Sequence, residues 1–145
     1  LGLGALLMNA ASVVFVDSDP EAIRTCKHNF DVLKDKFEIS ENVKFVCSDV
    51  NDYDVECDTV IMNPPFGTKT KHADLIFLEK AFQLAQVVYT IHKEVTKNYI
   101  LETATKYGYK LCRLEKIRFS LQATMKMHKK KVQDIQVALF HFVKE

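Results

Sequence analysis

The chain has 145 residues, of which 48% are hydrophobic and 27% are charged. This composition supports a sizeable core and excludes an intrinsically disordered chain, and the length favours a single domain over residues 1–145. The formal net charge of +1 excludes a uniformly polybasic nucleic-acid binder.

The first elements are predicted to alternate between helix and strand. Residues 1–16 are apolar, but they are interrupted by Asn9 and Ser12 and are short for a membrane span. They therefore predict a core helix and then a buried strand over residues 13–16 that ends at Asp17. A helix capped by Asp19 and begun by Pro20 follows. Its apolar face has residues spaced by three and four: Ile23, Cys26, Phe30, Leu33 and Phe37.

Two short strands come next, over residues 43–47 and 58–62. A second helix is indicated by Leu75, Leu78, Phe82, Ala85 and Tyr89, and residues 95–107 predict a third helix that ends at Gly108. Residues 109–119 and 132–143 predict two long strands that form an antiparallel hairpin at one edge. This order predicts the α/β class, a doubly wound and mostly parallel sheet closed by that hairpin.

The cysteines do not have the spacing of a metal site. No Cys-x-x-Cys pair occurs, and no histidine lies at zinc-ligand spacing from a cysteine. We therefore expect no metal and mostly buried, reduced thiols in an intracellular protein. The four are Cys26, Cys47, Cys57 and Cys112. His92 and His141 have no partner pattern and are interpreted as structural.

Polar residues follow three of the predicted strands: Asp17, Asp49 and Asn63. Ligands of open α/β sheets bind beyond the carboxyl ends of the strands, so these positions predict a binding rim. An acid after such a strand can accept hydrogen bonds from ribose hydroxyls. Taken singly, Asp17 could equally be an acid near a helix N-terminus, and Asp49 could be an ordinary turn residue.

The strongest signal is the run Asn63-Pro64-Pro65-Phe66, directly after a buried strand. Consecutive prolines lack N–H donors, so the backbone carbonyls stay free to accept hydrogen bonds from a ligand. The asparagine offers a donor and an acceptor, and the phenylalanine offers a stacking face. A planar group that carries an amine fits such a site better than a plain turn does.

This run resembles the (D/N/S)PP(Y/F/W) motif of S-adenosylmethionine-dependent amino methyltransferases, which have a Rossmann-like fold. Residues 59–69 further resemble the eukaryotic methyltransferase-like enzymes that form N6-methyladenosine in small-subunit ribosomal RNA. Residues 89–93 and 127–131 are similar to later segments of that family. The resemblance runs over nearly the whole chain.

The resemblance implies a role for each matching residue. Asp17 and Ser18 would hold the ribose of S-adenosylmethionine, and Asp49 with Val50 would contact its adenine. Asn63, which also borders the cofactor, would accept hydrogen bonds from the target N6 amine together with the Pro64 carbonyl. Pro65 would belong to the same catalytic motif, and Phe66 would stack on the extruded base. Neither a metal nor a general-base histidine is needed.

The amino-terminal end departs from the family pattern. Only 13 positions separate Gly4 from Asp17, about one helical turn less than the family's glycine-rich loop needs before this acid, and no strand precedes Gly4. The whole chain holds only 4 glycines. We therefore expect residues 1–4 to begin the first helix. We also expect the family's first strand and glycine-rich cofactor loop to be absent from this chain.

Positive charge is concentrated near the carboxyl end. Residues 110–131 contain eight cations and one acid, and His128, Lys129, Lys130 and Lys131 are predicted to lie in the hairpin loop. Beside a base-flipping site this loop would contact RNA phosphates, although a solvated lysine-rich loop is the alternative.

The resemblance also implies a small activator protein as partner, location in the nucleus or cytoplasm, and no membrane association.

Two other functions stay open. The same fold could methylate a protein glutamine amide, although those enzymes usually have tyrosine where this chain has Phe66. A non-catalytic, truncated domain could instead bind only RNA or a protein partner. The missing glycine-rich loop is the one feature that favours this third function.

Overall fold

A computed structural model describes residues 1–65, 73–122 and 132–145. It divides the chain into two compact units, Leu1–Val55 and Glu56–Glu145. Each unit contains helices packed on parallel strands, and the second ends in an antiparallel strand pair, so the predicted α/β class is confirmed. Phe66 and residues 128–131 lie outside the described residues, and their predicted roles stay predictions.

The first unit is a two-stranded parallel sheet with two helices. Its elements are α1 (Gly2–Leu7), β1 (Val13–Asp17), α2 (Pro20–Lys34) and β2 (Val43–Cys47). The phenyl rings of Phe15 and Phe45 stack across the strands with centroids 5.1 Å apart, and Phe30 of α2 meets Phe45 edge-on. These aromatic contacts join the helix to both strands.

The predicted start of α2 is confirmed. The Asp19 side chain accepts a hydrogen bond from the Glu21 amide at 2.9 Å, and Pro20 occupies the first turn, where its missing N–H has no cost. The end differs from the prediction, because α2 ends at Lys34 and Phe37 lies beyond it, 52% exposed. Of the predicted apolar face, Phe30 is buried.

Glycine permits one close approach in this unit. A Cβ atom at Gly2 would overlap the ring of Phe15, so α1 can rest against β1 only because position 2 has no side chain. The expectation that residues 1–4 begin the first helix is confirmed.

The second unit is a four-stranded sheet with two helices. Its elements are β3 (Cys57–Met62), α3 (Ala73–Leu84), β4 (Ala85–Lys93), α4 (Lys97–Lys106), β5 (Tyr109–Gln122) and β6 (Val132–Lys144). The strand order is β3-β4-β6-β5, with β3 parallel to β4 and the other neighbours antiparallel. The core lies where α3 and α4 meet β4, β5 and β6, and it includes Leu78, Phe82, Val88, Phe140 and Phe142.

One predicted helix was partly wrong. Ala85 and Tyr89 were placed on the second helix, but α3 ends at Leu84 and both residues lie in β4. The β-branched and aromatic run from residue 87 to 91 favours a strand, and that strand pairs with β3 and β6. At the end of α4, Gly108 has φ of +76°, a conformation that stops the helix as predicted.

The cysteine prediction was also partly wrong. All four thiols are free, but Cys47, Cys57 and Cys112 are exposed and Cys26 is half-buried, so they are not mostly buried. Burial is greatest under α3 and α4, and these cysteines lie on strand ends or on the outer parts of the units.

Candidate functional site

The first unit brings the loops after β1 and β2 together. Asp17 lies opposite Cys47 in the parallel register, and the amide of Ser48 donates to the Asp17 carbonyl oxygen at 3.0 Å. The Cys47 thiol also donates to the Ser18 carbonyl oxygen at 3.7 Å. The unit therefore places Asp17 and Ser18 beside the segment that leads to Asp49 and Val50.

Each carboxylate at this rim has one oxygen engaged by its own turn. Asp17 Oδ1 accepts the Asp19 amide at 2.9 Å. Asp49 Oδ1 accepts both the amide and the side-chain Nδ2 of Asn51 at 2.9 Å. These bonds fix the direction of both side chains, which are exposed. A carboxylate oxygen has two lone pairs, so each group keeps capacity to accept hydrogen bonds from a ligand.

The second unit carries the proline motif at the carboxyl end of β3. Asn63 follows the last residue of the strand, Met62, and its side chain is exposed, whereas Pro64 is buried. The burial of Pro64 and the restricted φ angles of the two prolines fix the backbone conformation after β3. An exposed asparagine amide next to a rigid, donor-free backbone is suited to bind a planar group that carries N–H donors.

A buried polar cluster near this motif was not predicted. His92, at 0% exposure, lies between the Thr90 hydroxyl, 2.8 Å from Nε2, and the Asp74 carboxylate, 3.3 Å from Nδ1. Burial lowers the pKa of His92, and Asp74 opposes that shift. The sequence offered no signal for this cluster, since Asp74 lies 18 positions from His92.

The cluster has the residue types of a hydrolytic triad but not its accessibility. Thr90 is 0% exposed, so its hydroxyl is buried away from any substrate in this structure. His141 stacks on Tyr89 with ring centroids 4.3 Å apart, as expected for a structural residue. No group of three or more metal-ligating side chains occurs among the described residues.

Comparisons with known proteins place the chain in a family. Residues 1–118 match the family model described as conserved hypothetical protein 95. The chain is 36% identical to rRNA N(6)-adenosine-methyltransferase METTL5 of Danio rerio, covering 98% of this chain and 69% of that protein. It is 33% identical to rRNA N(6)-adenosine-methyltransferase metl-5 of Caenorhabditis elegans, covering 99% of this chain and 72% of that protein.

A solved structure shares the fold. A Pyrococcus horikoshii protein, provisionally assigned as an RNA methyltransferase, superposes with a TM-score of 0.85 at 33% identity, covering 98% of this chain and 68% of that one. Within the part of the chain that the structure describes, no helix is long and apolar enough to cross a membrane. The chain therefore belongs to the conserved hypothetical protein 95 family and, with these relatives, to a family of RNA methyltransferases.

Proposed function

We propose that this protein transfers the methyl group of S-adenosylmethionine to the N6 amine of an adenosine in RNA, and that small-subunit ribosomal RNA is the substrate. The observation that carries this proposal is the exposed Asn63 beside the buried Pro64, at the carboxyl end of β3. It is supported by 36% identity to an enzyme named as an rRNA N6-adenosine methyltransferase.

The rim of the first unit fits the polar half of the cofactor. Asp17 would accept hydrogen bonds from the ribose hydroxyls, and Asp49 would accept from the adenine amine, with Ser18 and Val50 beside them. Both carboxylates are exposed and already aimed by their bonds to Asp19 and Asn51. When bound, S-adenosylmethionine supplies an electrophilic methyl group on a sulfonium.

The motif would prepare the target amine. The lone pair of an adenine N6 is delocalised into the ring, which makes it a poor nucleophile. Asn63 Oδ1 and the Pro64 carbonyl oxygen would accept hydrogen bonds from its two N–H groups. These bonds would favour a tetrahedral nitrogen and aim its lone pair for in-line attack. The nitrogen then releases one proton to solvent. Phe66 would stack on the base, a contact worth about 1–3 kcal/mol.

The basic segment would hold the RNA backbone. We propose that His128, Lys129, Lys130 and Lys131 contact phosphates, which makes binding depend on salt.

We also propose a small activator protein as partner, in the nucleus or cytoplasm. If the chain expressed alone aggregates and coexpression with such a protein does not restore solubility, the partner proposal fails.

The reaction is tested with labelled cofactor. The chain is incubated with S-adenosylmethionine carrying a labelled methyl group and ribosomal RNA, and the RNA is digested to nucleosides. We expect label in N6-methyladenosine, and a loss of about 100-fold or more in kcat for Asn63→Ala. Asn98→Ala, the same change on the exposed part of α4, should retain activity.

Two results would contradict the proposal. Label in a protein glutamine with none in RNA would identify the glutamine-amide alternative. No detectable cofactor binding by titration would remove both enzyme functions and leave a domain that only binds RNA or a protein.

A further inference from the structure

Three polar side chains form a continuous hydrogen-bonded chain inside the second unit. Thr90 and His92 are both 0% exposed, and the Asp74 side chain is 14% exposed. We infer that His92 is a positioning residue, which holds α3, β4 and the end of β3 in the arrangement that directs Asn63 and Pro64 toward the target amine. This inference rests on the proposed function.

The donor and acceptor roles in this chain follow from chemistry. An ionised carboxylate only accepts, so His92 Nδ1 carries the proton that Asp74 Oδ2 accepts at 3.3 Å. In the neutral imidazole, which burial favours, Nε2 is then an acceptor and the Thr90 hydroxyl donates to it at 2.8 Å. One tautomer therefore satisfies every member, and removing any member leaves a buried polar group without its partner.

The three residues lie on the two elements that border the motif. Asp74 is in the first turn of α3, where the helix dipole favours a carboxylate, and Thr90 and His92 are near the carboxyl end of β4. Phe140 of β6 closes the other side of His92, edge-on with ring centroids 6.0 Å apart. The cluster therefore fastens the beginning of α3 to the end of β4.

The connection to the motif is the strand register. Met62, the last residue of β3, is paired with Thr90, and Asn63 and Pro64 follow it directly. The helix α3 also packs against β3. A shift of Thr90 or α3 therefore moves the point at which the chain leaves β3, and Asn63 moves with it. Small displacements of a group that must aim a lone pair are costly for the rate.

The fold provides a matched control. Tyr109 is also buried and donates to the carbonyl oxygen of Phe82 at 2.9 Å, near the end of α3, with the Ala85 carbonyl at the start of β4 also within its reach. It therefore joins the same helix and the same strand at their opposite ends, away from the motif. Tyr109→Phe removes a buried hydroxyl of the same unit without touching the Asp74–His92–Thr90 cluster.

The test compares Thr90→Val and Asp74→Ala, each of which removes a hydrogen-bond partner of His92, with Tyr109→Phe and Thr90→Ser, at a temperature where all are folded. For Thr90→Val and Asp74→Ala we expect kcat to fall about 10-fold or more, while cofactor Kd stays within about twofold. Tyr109→Phe should keep the kcat of the unmodified protein. Thr90→Ser retains the hydroxyl and should keep it too.

Two readouts do not depend on turnover. Nitrogen-15 NMR of His92 should report the neutral Nδ1–H tautomer in the unmodified protein. Hydrogen exchange at the Met62 and Asn63 amides should quicken in Thr90→Val and Asp74→Ala but not in Tyr109→Phe. Unchanged kcat and exchange in those two variants, or an equal loss in Tyr109→Phe, would overturn the inference. If the unmodified protein does not methylate RNA, the proposed function fails, and the exchange data still decide whether the cluster orders the motif.

Discussion

The hydroxyl of Tyr109 donates a hydrogen bond to the main-chain carbonyl oxygen of Phe82 at 2.9 Å, and the carbonyl oxygen of Ala85 lies within reach of the same hydroxyl. Those carbonyls mark the last turn of α3 and the start of β4, where the chain passes from helix to strand without a loop. The phenol ring is 4% exposed and stacks on Phe82 with centroids 4.2 Å apart. A single side chain from β5 therefore supports the junction between two elements.

Loss of that hydroxyl should destabilise the protein. Tyr109→Phe keeps the ring but leaves carbonyl oxygens in the core without their donor, which costs about 1–3 kcal/mol of unfolding free energy. Urea unfolding measures the change. Tyr107→Phe, on a half-buried ring 5.9 Å from Phe82, is the control and should change stability by less than about 0.5 kcal/mol. Equal effects from both variants would contradict the role given to Tyr109.

Stability should fall on acidification because of His92. Burial lowers the pKa of this imidazole below its ordinary value of 6.5, so between that value and the lower folded one the unfolded chain binds more protons than the folded chain. By linkage, this contribution is complete above pH 6.5 and is lost as pH falls toward the folded pKa, by at most about 1.4 kcal/mol per pH unit.

Unfolding free energies measured at several pH values between about 5 and 7.5 test the linkage. His92→Gln should lower the dependence on pH in that range, even though it also weakens the fold. His28→Gln, which removes an exposed histidine from α2, should leave the dependence unchanged. An identical pH profile for His92→Gln and the unmodified chain would show that His92 is not responsible.

Cofactor binding should depend on the charge of Asp17. Asp17→Asn keeps an oxygen that can accept the Asp19 amide, so the turn after β1 should survive. The proposed charged acceptor for the ribose hydroxyls is removed, so the Kd for the cofactor should rise about 10-fold or more. Isothermal titration with S-adenosylmethionine measures this Kd. Asp19→Asn retains helix capping and should change Kd little, and comparable losses in both variants would argue against a ribose contact.

RNA affinity should depend on the lysines of the basic segment. If Lys129, Lys130 and Lys131 are replaced with glutamine, the slope of log Kd against log salt should fall by about 0.7 for each phosphate of single-stranded RNA that is no longer neutralised. The matched control replaces Lys27, Lys36 and Lys44, which are exposed in the first unit, where residues 1–55 hold ten acids and five cations. Equal slopes for the two triple variants would indicate that only total charge matters.

Local signals in the sequence were sufficient for many elements. The strands β1 and β2, the cap at Asp19 and the stop at Gly108 were predicted because each depends on a few adjacent residues. The strand β4 was not predicted, because Leu75, Leu78, Phe82, Ala85 and Tyr89 keep helical spacing past the end of α3. Pairing with β3 and β6 decides the outcome there, and strand pairing is a non-local effect.

The candidate site divides in the same way. Asn63, Pro64 and the acids after β1 and β2 were predicted, since motifs and strand ends are visible in the chain itself. His92 was interpreted as structural, and it is fully buried, but its partners were not predicted, because a single histidine gives no indication of which distant side chain meets it. Its partner Asp74 is brought near only when α3 folds back on β4.

The absence of a side chain at Gly2 limits which residues can replace it. A methyl group there would push on the Phe15 ring, which cannot yield without disturbing its stack on Phe45 and, through it, Phe30. Alanine at position 2 would therefore displace side chains of β1 and β2, the strands that lead into the Asp17 and Asp49 turns. A substitution in α1 should therefore change the affinity of the proposed cofactor rim, although α1 contributes none of the proposed contacts.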